Sequence, residues 1–144
     1  MDLGLAGRRA LVGGGASGIG NGIASELAHE GARVALIGRT ADRVEAEATR
    51  LGGAPVVADL ATPGGPAAAV DDAVARLGGL DLLVACTGGP PSGGFDALDE
   101  AAWETAINGT LQSVLRLVRA ALPVLRDGVD PAILIVLSSS VREP

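Results

Sequence analysis

Five apolar runs of strand length, at residues 10–13, 33–37, 55–58, 80–85 and 132–137, alternate with longer segments whose apolar residues recur at helical spacing. The runs are almost free of polar side chains, so neither face of such a strand suits water; strands of this kind belong to parallel sheets covered on both sides. The alternation predicts a doubly wound α/β domain of three layers, with helices over 18–30, 41–51, 63–77 and 99–126. A chain of 144 residues can bury its own core, and one domain over 1–144 is expected.

Local signals place the helix ends. Thr62 before Pro63 reads as an N-cap and a first-turn proline opening the third helix. Asp99 reads as the cap of the fourth, whose apolar stripe runs through Ile107, Leu111, Val114, Leu115, Val118, Leu122 and Leu125, with Pro123 kinking or ending the last turn. His29 falls at the end of the first helix, where a cation suits the helix dipole, and is read as structural. The stretch "TGGPPSGG" is a flexible connection between the fourth strand and fourth helix.

The nine residues "VGGGASGIG", from Val12 to Gly20, hold five glycines between the first strand and first helix. Glycine weakens regular structure, so such a cluster marks backbone that needs positive φ or that another group approaches closely. A strand-to-helix loop gathers unpaired N–H groups and the positive end of a helix dipole, which suits a phosphate. Gly13, Gly15 and Gly18 satisfy G-x-G-x-x-G, while Gly14, Gly18 and Gly20 satisfy G-x-x-x-G-x-G. A P-loop is excluded because the sequence has no lysine, and a hydrolase elbow because Ile19 stands where its last glycine belongs. A glycine-rich turn with no ligand is the bland alternative.

About twenty residues further on, a dinucleotide site offers an acid to the adenosine ribose or an arginine to a 2'-phosphate. The second strand runs into "ALIGRT", so the acid is missing and Arg39 is present, which favours NADP(H) over NAD(H). The net charge of -6 gives no general attraction for nucleic acid or an anionic membrane. No apolar run approaches the roughly 18 residues that span a bilayer, and "MDLGLAGRRALV" lacks the pattern of a signal peptide. The single cysteine, Cys86, cannot form an internal disulfide, so a reducing cytoplasm is expected, and no metal is expected.

Together these segments resemble the short-chain dehydrogenase/reductase family, with a Rossmann-type sheet of strand order 3-2-1-4-5 that is incomplete at its C-terminal side. "VGGGASGIG" resembles the family's T-G-x-x-x-G-x-G loop, which implies cofactor contacts from Gly14, Ser17, Gly18, Ile19 and Gly20. "VADL" resembles its acidic position after the third strand, implying adenine contacts from Asp59 and Leu60; a local turn role for Asp59 is the alternative. "LLVACTGG" resembles its N-N-A-G segment, with Gly88 beside the cofactor. "AINGTLQSVLRLVRAALP" resembles the helix bearing the catalytic asparagine, which falls on Asn108, and "ILIVLSSSV" the strand bearing the catalytic serine, Ser138 with Ser139 the neighbouring choice. A solvent-facing Asn108 and a serine triplet that is only loop are the structural alternatives. "GGPPSGGF" and "SSSVREP" resemble a branch similar to 3-oxoacyl-carrier-protein reductases.

The resemblance implies hydride exchange between a nicotinamide cofactor and a small carbonyl or alcohol. Three departures stand out: Gly13 replaces a threonine, Ala85 and Cys86 replace two asparagines, and the sequence contains neither tyrosine nor lysine, so the family's Y-x-x-x-K is missing. That pair supplies the proton for the alkoxide formed on carbonyl reduction. These 144 residues alone are therefore expected to show negligible reductase activity, as part of a longer product or as a self-associating chain, with the fourth helix making a homo-oligomer. A non-catalytic nucleotide-binding or regulatory module is the alternative function.

Overall fold

Successive side chains of a strand point to opposite faces of its sheet, and here each face meets its own pair of helices. Five strands, β1 (Arg9–Val12), β2 (Arg33–Gly38), β3 (Ala54–Val57), β4 (Leu82–Ala85) and β5 (Ala132–Ile135), form one parallel sheet in the order β3-β2-β1-β4-β5. The helices are α1 (Gly18–His29), α2 (Ala41–Leu51), α3 (Gly65–Leu77), α4 (Glu100–Ile107) and α5 (Ser113–Arg126). Ala10, Val12, Val34, Leu36 and Val84 pack beneath α1 and α2 with Ala24, Val44 and Ala48. Leu11, Ile37, Val56 and Leu83 fill the other side with Val70 and Leu77 of α3 and Leu117 and Leu125 of α5. This computed structural model describes residues 1–139 and Arg142; Ser140, Val141, Glu143 and Pro144, within the "SSSVREP" tail, lie outside the described residues.

Two elements differ from the sequence expectation. The third helix begins at Gly65 rather than at residue 63, because the Thr62 hydroxyl is used in a preceding turn: it donates to the Asp59 carbonyl at 2.9 Å and accepts from the Gly65 N–H at 3.1 Å. Pro66 takes the first-turn place expected of Pro63. The fourth helix is not one α-helix but α4 and α5 joined by a π-helical turn, Asn108–Gln112, in which the Ser113 N–H donates to the Asn108 carbonyl. Asp99 caps α4 as expected, its Oδ1 accepting from the Ala102 N–H at 2.8 Å, and α5 runs past Pro123 to Arg126.

Among the described residues β5 is paired with β4 alone, and its register places Ile133 and Ile135 beside Leu83 and Ala85, on the face where α5 lies. Leu134 aligns with Val84 on the opposite face. There α1 and α2 pack over β1, β2 and β3, and Leu134 remains 50% exposed. β5 therefore carries apolar side chains with little cover on either side.

The end of the sheet where β4 begins is held by one buried carboxylate. Asp81 Oδ2 accepts from the Arg9 N–H at 2.8 Å and from Arg9 Nε at 2.9 Å; its Oδ1 accepts from Arg9 Nη2 at 2.7 Å and from the Val129 N–H at 2.8 Å. The Arg9 guanidinium holds the carboxyl well below the usual carboxylate range; burial opposes this, and the Val129 and Arg9 amides add to it.

Candidate functional site

In a doubly wound sheet the crevice lies beyond the carboxyl ends of the strands, where the connecting loops diverge. Here that crevice is a cleft of about 560 Å³, walled by the segments that follow β1, β2, β3 and β4 and by one side of α4 and the π turn. Its volume lies within the range of small-molecule and cofactor sites.

The glycine loop forms the floor. Gly14 has φ +61°, and a Cβ built there would lie 2.7 Å from the Cys86 carbonyl oxygen. A Cβ on Gly20 would lie 2.7 Å from the Gly14 carbonyl carbon and 2.8 Å from the Gly13 oxygen. Gly18, with φ +55°, meets nothing within 4 Å and is needed for its backbone conformation alone. Ser17 stands at the N-cap of α1 with extended backbone, and its hydroxyl caps no N–H among the described residues. The glycines thus let the loop lie close against its neighbours at the N-terminus of α1, whose first-turn N–H groups suit the pyrophosphate of a dinucleotide.

Of the residues assigned cofactor contacts in this loop, Gly14, Ser17, Ile19 and Gly20 line the floor, and Gly18 does not. The segment after β2 supplies Arg39 at one end, joined by Arg43 from the first turn of α2. Sequence reasoning misses Arg43, although its spacing of four from Arg39 is there to be read. Asp59 and Leu60 follow β3 into the wall, and Asp59 Oδ1 accepts from the Ala61 N–H at 2.9 Å, so the carboxylate shapes its own turn while facing the cleft.

Opposite lie Cys86, Thr87, Gly88 and Gly89, with Thr105 and Gly109 from the helix pair. Gly13 makes this close approach possible: its N–H donates to the Val84 carbonyl at 2.8 Å, and a Cβ there would stand 3.0 Å from the Cys86 oxygen. Asn108 is partly buried and opens the π turn beside Gly109, but is not among the lining residues; neither is Ser138, which is exposed beyond β5 with Ser139. Apart from Gly18, the nucleotide-contact candidates line one cleft; the two catalytic candidates, Asn108 and Ser138, do not line it. Among the described residues no His, Cys, Asp or Glu cluster could hold a metal ion, and no helix is long and apolar enough to cross a membrane.

A family model described as short chain dehydrogenase matches residues 8–144. The rhamnolipid-biosynthesis 3-oxoacyl-[acyl-carrier-protein] reductase of Pseudomonas aeruginosa is 36% identical over 129 residues, covering 85% of this chain and 49% of its own. L-Sorbose reductase from Gluconobacter frateurii, solved with NADPH and L-sorbose, superposes with a TM-score of 0.94 at 31% identity over 100% of this chain and 57% of its own. The NADH-dependent reductase A1-R', solved with NAD, does so at 0.88 and 29%, over 99% of this chain and 64% of its own. The chain spans about half the length of the curated relatives it matches.

Proposed function

This chain belongs to the short-chain dehydrogenase family, and from that premise we propose that its cleft binds NADP(H) in the service of carbonyl–alcohol oxidoreduction on a small molecule. The observation that carries the reading is the meeting, in one cleft, of a glycine-rich loop at the α1 terminus and two arginines, Arg39 and Arg43. The cradle of Gly14, Ser17, Gly18, Ile19 and Gly20 would hold the pyrophosphate; Arg39 and Arg43 would take the 2'-phosphate that NADP(H) carries and NAD(H) lacks. Asp59 and Leu60 would bracket the adenine, with Gly88 across the cleft. When bound, the nicotinamide supplies or accepts the hydride.

Ser138 would donate a hydrogen bond to the substrate oxygen, and Asn108 would order a water near it. Neither is a proton donor of suitable pKa for general-acid catalysis. A second reading, a nucleotide-binding module without chemistry, is favoured by the lack of any tyrosine or lysine in the sequence. Fluorescence titration of the 144-residue chain with NADPH and NADH, followed by addition of a carbonyl compound, tests both. The expected result is binding with roughly tenfold or greater preference for NADPH, from charge-assisted contacts to the extra phosphate. Arg39→Ala or Arg43→Ala should erode that preference, and absorbance should not decline once carbonyl is added. Equal affinities would remove the arginine argument; steady carbonyl-dependent NADPH loss would show a proton donor not identified in this cleft.

A homo-oligomer is part of the proposal. Ile107, Leu111, Leu115 and Leu122, spaced along one line of α4, the π turn and α5, are all exposed. Such a stripe is suited to burial against a second copy. Light scattering should return at least twice the chain mass, and a monomer at high concentration would count against it.

A further inference from the structure

Gly15 is fixed at both of its polar backbone atoms. Its N–H donates to the Ile37 carbonyl, near the end of β2, at 3.0 Å, and its carbonyl accepts from Asn21 Nδ2 at 2.9 Å. The glycine loop is thereby tied on one side to the strand that leads into Arg39, and on the other to α1.

Asn21 does more than hold the loop. Its Nδ2 also donates to Glu47 Oε2 at 3.0 Å, Arg50 Nε donates to the same oxygen at 2.8 Å, and Arg50 Nη2 donates back to Asn21 Oδ1 at 3.1 Å. Three side chains from α1 and α2 close a ring of hydrogen bonds. Arg50, then Asn21, hold the Glu47 carboxyl below its ordinary value, as expected of an acceptor kept ionised within the ring. Glu47 lies one helical turn beyond Arg43, so the ring grips the helix that carries the second guanidinium.

Resting on the NADP(H) reading above, we infer that Asn21 is a positioning residue. Through Glu47 and Arg50 it fixes the span between the phosphate cradle and the Arg39–Arg43 pair, and so sets the preference for a dinucleotide bearing a 2'-phosphate. A ligand that touches only the cradle is little affected when α2 shifts. A ligand that must reach both ends loses the benefit of a preformed span. The cradle opens α1 and Arg43 stands in the first turn of α2, directly after Arg39, and this ring joins the two helices directly.

The test compares Kd for NADPH and for NADH in the wild type, Asn21→Ala and Asn21→Asp, with a thermal melt of each ligand-free protein. Asn21→Asp keeps the shape and the acceptor for Arg50 but cannot donate to Gly15 or Glu47, and it serves should the alanine variant fail to fold. The expected result is a fall of about fivefold in the NADPH-to-NADH preference, the scale of one lost hydrogen bond, over and above any loss that the freed Gly15 carbonyl imposes on both ligands. A merely structural role would lower the melting temperature and weaken both ligands by one common factor. That outcome, or an unchanged preference, overturns the inference and leaves the NADP(H) reading standing. A wild type that binds neither dinucleotide, or binds both equally, defeats the cofactor reading and this inference with it.

Discussion

Gly20→Ala is expected to weaken dinucleotide binding by up to about a hundredfold while leaving the sheet folded. The added methyl would fall 2.7 Å from the Gly14 carbonyl carbon and 2.8 Å from the Gly13 oxygen, both backbone atoms that have no rotamer to change. Either the first turn of α1 or the loop must move, and each carries N–H groups that the proposal assigns to the phosphate. The loop has little room to retreat, since Gly14 packs so near the Cys86 carbonyl that a Cβ there would lie 2.7 Å from its oxygen. Overpacking of this kind costs about 1 to 3 kcal/mol, which is roughly tenfold to a hundredfold in affinity. Gly22→Ala is the control: nothing lies within 4 Å of the point its methyl would occupy on the same helix, and binding should be unchanged. Wild-type affinity in Gly20→Ala would mean that no phosphate rests on this floor.

Asp81→Ala should cost about 3 to 5 kcal/mol of unfolding free energy, the scale of a buried ion pair broken on one side. That is a large share of the roughly 5 to 15 kcal/mol available to a domain of this kind. Removing the carboxylate strands the Arg9 guanidinium and frees the Val129 amide, so the β1–β4 junction and the turn before β5 loosen together. Urea denaturation measures the loss. The pH dependence has a definite sign, because the folded carboxyl titrates far below its unfolded value of about 3.9. The contribution is complete above that unfolded value and is lost as pH falls towards the depressed folded one, since the unfolded chain takes up the proton first. Wild-type stability should decline below about pH 4, and this part of the decline should be missing in Asp81→Ala. A variant that unfolds at the same urea concentration as wild type would rule the clasp out as a source of stability.

The sheet was legible in the sequence because parallel strands buried on both faces are nearly pure apolar runs. The five runs match β1 to β5 to within two residues at each end. The misread start of α3 came from Thr62, whose hydroxyl does accept from a helical N–H, but from the turn ahead of the helix rather than from its cap position. The π turn left little trace: the apolar stripe continues through Leu111 and Val114, and only the pair Asn108–Gly109, both weak helix formers, marks where the backbone widens. In the cleft, the glycines, Arg39 and Asp59 could be read because each sits directly after a strand, where the fold itself places it. Thr105 and Gly109 could not, since their approach depends on how a helix leans against the sheet. Asn108 and Ser138 were placed by their order along the chain alone, and they lie outside the lining of the cleft.

The Arg9–Asp81 clasp and the glycine cradle occupy opposite ends of the same strands, one where β4 begins and the other where β1 ends. Endurance and the proposed choice of nucleotide are thereby assigned to separate parts of the molecule, so changes that reinforce the first end are expected to raise heat tolerance while leaving the second as it is.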